Sequence, residues 1–185
     1  YAPDTAAKPR VLHVDSSLLI VDKPSGLLTV PGKAQGHKVC LEQIIQTDYP
    51  EARIVHRLDL ATSGLMVMAM NASAHRHLGL QFERRHTTKT YIARVWGQIE
   101  AMAGHIDLPL RCDWPNRPRQ IVDKDKGKRA VTNFKRLELD GTASRLRLTP
   151  ITGRSHQLRV HMLALGYPIL GDQLYAPDEA YRAAP

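Results

Sequence analysis

Aromatic residues and cysteine are both scarce in this chain: Phe, Trp and Tyr make up 5% of its 185 residues, and only two are cysteines. So few aromatics exclude a surface built mainly from stacking platforms. Cys40 and Cys112 stand far apart with no CxxC pair. They read as lone thiols of a reducing cytosol rather than as a disulfide framework or a zinc ribbon. No apolar run approaches the ~20 residues of a membrane-spanning helix, and Tyr1-Ala2-Pro3-Asp4 has neither the basic nor the apolar part of a secretory signal. Nine histidines invite a metal reading, but His75 and His77 lie two apart and His156 and His161 five apart, missing the i,i+4 spacing that puts two ligands on one helical face. No metal site is expected. Gly26 to Gly32-Lys33 imitates a phosphate-binding loop, yet Ala34 stands where Ser or Thr belongs and Pro31 removes a backbone N–H. Asp123-Lys124-Asp125 opens like a calcium loop, but Phe134 occupies the position of the closing Glu.

What is abundant is positive charge. The net charge is +8, and residues 111–161 carry 13 Lys and Arg against five acids. Such an excess suits a polyanion, because each phosphate neutralised releases condensed counterions. A soluble protein of high pI is an equally good account of charge alone. With 43% hydrophobic residues, 185 positions suffice for one domain with a sizeable core.

Residues 1–9, with Pro3 and Pro9, read as a flexible leader before one domain over 10–185. The missing initiating Met, and a stop at Pro185, make an incomplete chain the expectation. Val11–Val14 and Leu18–Val21 read as strands around an Asp15-Ser16-Ser17 turn, and Cys40–Tyr49 as a helix ended by Pro50. Leu65–Met70 is a strand, and Asn71 or Ser73 could cap a helix over Ala74–Arg85. Tyr91–Trp96 is a strand, 111–128 a long exposed loop, and Val131–Leu139 with Ser144–Thr149 a hairpin around Asp140-Gly141. Ser155 could cap a last helix stopped by Gly166. Strands and helices alternate without βαβ spacing, which predicts an α+β fold: a mixed, mostly antiparallel sheet flanked by helices and loops.

The segment His56-Arg57-Leu58-Asp59-Leu60-Ala61-Thr62-Ser63-Gly64-Leu65 sets one carboxylate between a cation and a Thr-Ser-Gly turn. On its own, such an Asp is more often a turn residue capping local N–H groups than a catalytic group. The whole string, however, resembles the signature of the RluA-type pseudouridine synthases. Val21-Asp22-Lys23-Pro24-Ser25-Gly26-Leu27 is similar to that family's first motif, and Lys89-Thr90-Tyr91-Ile92-Ala93-Arg94-Val95 to its tyrosine-bearing strand. Thr152 to His161 is similar to its arginine motif, and Gly171-Asp172 with Tyr175 to the turn that follows. The stretches 107–110 and 112–118 resemble its dual rRNA and tRNA branch.

The resemblance implies a pseudouridine synthase catalytic domain in the cytoplasm. It would act on RNA, a 23S rRNA hairpin and a tRNA anticodon stem-loop, with no cofactor, no membrane and no obligate protein partner. The family fold continues past the Gly-Asp-x-x-Tyr turn with a further strand segment, which this chain lacks. Asp59 would be the catalytic carboxylate, attacking C1′, removing the 2′ proton or adding at C6 of the base. Arg154 would be the cation that keeps it ionised, or else a phosphate contact beside the Ser155 cap. Tyr91 would stack under the extracted uracil, its bland alternative being core packing. Arg57 would fill the space of the flipped nucleotide, or form a surface ion pair. Leu158 would seal the pocket or merely pack a helix. Lys23 and Lys89, with Arg84, Arg85 and Arg159, are candidate phosphate contacts. Two other classes remain open: a non-catalytic RNA-binding module, and a hydrolase with Asp59 as nucleophile, for which no second carboxylate is evident.

Overall fold

A computed structural model of the protein describes residues 8–32 and 38–184. Most of the expected leader, the Lys33-Ala34 pair of the phosphate-loop lookalike and Pro185 lie outside those residues. The chain forms two compact units, Tyr1–Thr87 and Thr88–Pro185.

The first unit is a four-stranded antiparallel sheet with two helices. Its strands are β1 (Arg10–Val14), β2 (Leu18–Lys23), β3 (Arg53–Ile54) and β4 (Gly64–Ala69), in the order β1-β2-β4-β3. The Asp15 carboxylate closes the first hairpin by accepting the N–H groups of Ser17 and Leu18. Along β2, Leu19, Val21 and Lys23 are buried and the residues between them only half so, the period-2 pattern of a sheet with one face on a core. α1 (Leu41–Asp48) adds Leu41 and Ile45 to that core. α2 (Ala72–Glu83) starts where Asn71 accepts the Ala74 N–H at 2.8 Å, the first of the two caps read from the sequence.

The second unit holds β5 (Tyr91–Trp96), β6 (Ala103–Asp107), β7 (Leu110–Cys112), β8 (Gln120–Val122), β9 (Val131–Asp140) and β10 (Ala143–Pro150), with α3 (Gln157–Ala164) and α4 (Asp178–Arg182). One sheet runs β5-β10-β9-β6, and β7 pairs with β8 as a separate hairpin. All of these pairings are antiparallel. Its core is Val95, Ile99, Ile106, Phe134, Leu146, Leu148 and Met162. The α+β class with antiparallel sheets is therefore what the chain adopts. Among the described residues no helix is long and apolar enough to cross a membrane.

Three elements differ from expectation. The segment read as a loop over 111–128 contains the β7–β8 hairpin and a 3-10 turn at Trp114–Asn116, because strands of three residues are too short to show a period. β6 carries almost no strand signal of its own and forms by pairing with β9. Its Gly104 is required by a close approach: a Cβ there would lie 2.3 Å from the Phe134 ring. Ser155 does not cap α3. His156 holds that position in the left-handed region, at φ 53°, with no side-chain cap bond.

Candidate active site

In the first unit, the structure brings the first motif and the signature segment together. Asp59 lies half-buried in the loop between β3 and β4, and its carbonyl accepts the Thr62 N–H at 3.1 Å, closing a tight turn. Its neighbours on both sides are fastened. The Thr29 hydroxyl donates to the Leu58 carbonyl at 2.8 Å and accepts the Leu58 N–H at 3.2 Å. The Leu60 carbonyl takes the Gly26 N–H at 2.9 Å, and the Ser25 hydroxyl donates to the Ala61 carbonyl at 2.7 Å. His56 accepts the Val67 N–H through Nε2 at 3.1 Å and stacks on Phe82 with ring centroids 4.4 Å apart. A turn pinned at Leu58, Leu60 and Ala61 fixes the backbone that bears the Asp59 carboxylate.

Lys23 is not where a phosphate contact would be. Its side chain is 0% exposed, and its ammonium donates to the carbonyls of Leu27 (2.7 Å), Pro24 (2.9 Å) and Leu60 (3.3 Å). Burial pushes its pKa down to about 8, and the negative charge of Asp59 opposes that shift. Lys23 therefore ties the first motif to the residue after Asp59. Arg57, by contrast, is exposed and open to a polyanion.

In the second unit, Tyr91 begins β5, opposite Leu148 of β10, and packs half-buried against the core cluster that Leu158 of α3 also borders. The Lys89 ammonium comes close to the arginine motif: a Cβ on Gly153 would lie 3.4 Å from it. Arg154 is half-buried and donates through Nε to the Arg129 carbonyl at 3.1 Å.

The turn that carries Arg154 is held by a buried relay whose donors run in one direction. The Val131 N–H donates to the Thr152 hydroxyl (2.9 Å), which donates to Gln157 Oε1 (2.6 Å). Gln157 Oε1 also accepts the Arg154 N–H at 3.0 Å, while its Nε2 donates to Thr132 Oγ1 (3.0 Å) and to the Val131 carbonyl (2.9 Å). The Thr132 hydroxyl then donates to His161 Nδ1 (2.9 Å), leaving Nε2–H for the Leu108 carbonyl (3.0 Å). That order assigns His161 the neutral Nε2–H tautomer, and burial holds its pKa below the usual histidine value.

Arg159, expected at a phosphate, instead forms a fork on Asp172, with Nε–Oδ2 at 2.6 Å and Nη2–Oδ1 at 2.7 Å. Asp172 also accepts the N–H groups of Leu174 and Tyr175. Burial alone would raise the Asp172 pKa, but Arg159 and these N–H groups hold it below the usual carboxylate range. The Tyr175 hydroxyl bonds His156 Nδ1 and accepts the Gln120 N–H, both at 2.7 Å. It thereby joins the Gly171-Asp172-x-x-Tyr175 turn to the start of α3 and to β8.

Sequence reasoning missed Thr29, His56 and Gln157 as the residues that hold these loops. Their common signal is a polar or imidazole side chain within or just after a motif, where the loop's backbone groups need partners.

Residues 17–164 match the family model described as RNA pseudouridylate synthase. The chain is 55% identical over 177 residues to the dual-specificity RNA pseudouridine synthase RluA of Salmonella typhi, covering 95% of this chain and 80% of that protein. It is 54% identical over 177 residues to the protein of the same name from Escherichia coli K12, with the same coverage. Among solved structures, human RNA pseudouridylate synthase domain containing 1 superposes with a TM-score of 0.82 at 27% identity, covering 100% of this chain and 76% of that one. With a model match across most of its length and relatives above half identity, the chain belongs to the RNA pseudouridylate synthase family.

Proposed function

We propose that this protein isomerises uridine to pseudouridine in structured RNA, with Asp59 as the carboxylate that acts on the flipped nucleotide. The C1′–N1 bond breaks, the uracil turns, and C1′–C5 forms, the proton on C5 leaving as N1 gains one. The product is an isomer of the substrate, so the balance needs no oxidant, nucleotide or metal. The observation that supports the role of Asp59 most directly is its turn, fastened by Thr29 on one side and by Lys23, Ser25 and Gly26 on the other. Such fastening keeps a carboxylate aligned for attack on C1′ or for proton removal at C2′.

The family resemblance completes the set. Tyr91 stacks on the extracted uracil, Arg154 supplies the cation of the reaction, and Leu158 closes the pocket. Exposed Arg57 takes the space that the uridine leaves, offsetting a few kcal/mol of unstacking. Lys89 contacts phosphate. Residues 10–185 act as one catalytic domain. The substrates are hairpins whose unpaired uridine is cheap to extract: a 23S rRNA stem-loop and a tRNA anticodon stem-loop, met in the cytoplasm. The shared name of the RluA relatives, dual-specificity RNA pseudouridine synthase, favours two RNA classes.

The test is tritium release from RNA labelled at uracil C5, with tRNA, a 23S rRNA fragment and an anticodon stem-loop as substrates. The wild-type protein releases tritium, and Asp59→Asn loses at least ~100-fold while still binding RNA. Arg154→Lys keeps a charge but loses the planar fork, and its activity falls well below wild type. Salt-sensitive binding without release by the wild-type chain would replace this reading with a non-catalytic RNA-binding module.

A further inference from the structure

The loop between β7 and β8 presents an aromatic ring that the proposed reaction does not use. Trp114 is 63% exposed, among the largest apolar side chains left in water by this fold. A single exposed apolar residue means little by itself, but this one is built in. The loop is closed on its own backbone: the Asp113 N–H donates to the Arg119 carbonyl at 2.9 Å, the Asn116 N–H to Asp113 at 3.0 Å, and the Arg119 N–H to Asn116 at 3.0 Å. The Asn116 amide adds a bond to the Asp113 carboxylate at 2.9 Å. Pro115 and Pro118 fix two φ angles within it. At its far end, the Gln120 N–H is anchored by the Tyr175 hydroxyl. The indole is therefore presented by a pre-formed loop, with little ordering cost left for a ligand to meet.

The surroundings select the ligand. The Arg117 guanidinium lies 3.9 Å from the centroid of the Trp114 ring, covering one face. Residues 111–129 carry seven Lys and Arg against three Asp. Two of those acids are occupied internally, Asp113 by Asn116 and Asp123 by Arg111. Arg117, Arg119, Lys124, Lys126, Lys128 and Arg129 are all exposed. An aromatic face with one guanidinium against it, on a hairpin whose opposite end leads into four more exposed cations, suits a polyanion that carries planar rings. Single-stranded nucleic acid meets both requirements, with bases to stack and phosphates to pair.

We propose that Trp114 is a stacking platform for an unpaired base of the RNA substrate other than the reacting uridine, with Arg117 contacting an adjacent phosphate. This rests on the reading of the chain as an RNA pseudouridine synthase. It adds a recognition element to the catalytic set, and it makes the β7–β8 loop a determinant of which hairpins are bound.

The test uses the full chain and an anticodon stem-loop RNA, reading Kd by tryptophan fluorescence and filter binding, and kcat and KM by tritium release. Stacking quenches Trp114 emission in the wild type, and Trp114→Phe loses that quenching while keeping most of the affinity. Trp114→Ala raises Kd and KM together by ~10-fold, as loss of one base stack would, with kcat within about twofold. Its thermal midpoint stays at the wild-type value, since the ring lies outside the core. Arg117→Ala lowers the slope of log affinity against log salt by about one. Wild-type Kd and KM in Trp114→Ala, or a loss confined to kcat, would overturn the proposal. Absence of tritium release from the wild type is a different failure, that of the catalytic reading, because fluorescence and filter binding report on Trp114 without turnover.

Discussion

Replacing Gln157 by Leu is the sharpest test of how the arginine motif is held. The two side chains have similar volumes, so the change removes hydrogen bonds at a buried site (Gln157 is 4% exposed) without opening a large cavity. Four bonds go, but their costs differ. The Val131 carbonyl keeps the Ile151 N–H at 2.9 Å, and Thr132 still donates to His161. The Thr152 hydroxyl proton and the Arg154 N–H are the two donors left without their acceptor. A stranded buried donor costs about 1–3 kcal/mol, the half-buried Arg154 N–H falling at the lower end since water can reach it. Together they predict a loss of about 2–4 kcal/mol, or about 5–12 °C in melting temperature for a chain of this size. Urea and thermal unfolding measure it. Thr152→Val removes the other member of the Thr152–Gln157 bond, so the double variant should be less destabilised than the sum of the two singles. A Gln157→Leu protein within about 0.5 kcal/mol of wild type, or strict additivity in the double variant, would refute the relay as the support of this turn.

Two further outcomes concern charge. Asp172→Asn keeps an oxygen for the Leu174 and Tyr175 N–H groups but strands the Arg159 guanidinium, and should cost about 3 kcal/mol in urea unfolding at neutral pH. Because the folded pKa of Asp172 is lowered, its contribution is fully present above the ordinary carboxylate value of 3.8 and is lost as pH falls below it. His161 acts in a separate window. Its folded pKa is lowered from 6.5, so below that pH the unfolded chain takes up a proton that the folded one refuses. Stability should fall with acidification below about pH 6.5 by up to about 1.4 kcal/mol per pH unit until folded His161 itself takes up a proton, and His161→Phe should flatten that limb. An unchanged slope in the variant would show that another group carries it.

Much of this architecture was legible because its signals are local. β4 is a compact apolar run, the β9–β10 hairpin is announced by Asp140-Gly141, and the start of α2 by Asn71 and Ser73, of which Asn71 is the cap. Gly141 adopts φ 58°, as the short connection demands. β6, β7 and β8 were not legible, because what makes them strands is the partner across the sheet rather than their own residues. The misplaced α3 cap has a related cause. Ser155 has the right chemistry for a cap, but His156 is bonded to Tyr175, a residue 19 positions away in sequence, and takes the left-handed position instead.

Charged residues show the same division more sharply. Arg57 and Asp59 belong to a continuous string that could be recognised residue by residue, and Arg57 is exposed. Lys23 and Arg159 were grouped with the phosphate contacts only because they are basic, and both are committed inside the fold. For Lys23 the sequence did contain the contrary signal. The β2 period that buries Leu19 and Val21 reaches Lys23 two residues later, so a lysine there must find acceptors inside the protein. It finds three carbonyls, one of them Leu60, next to Asp59. Arg159 gave no such warning, because its partner Asp172 lies in a turn 13 residues on and meets it only through the packing of α3. A basic residue in a nucleic-acid enzyme should therefore be assigned to phosphate only after the periodicity of its own element has been followed through it. On that criterion Lys23 is withdrawn from the phosphate contacts while exposed Arg57 is kept, and Arg159 is withdrawn only by its fork on Asp172.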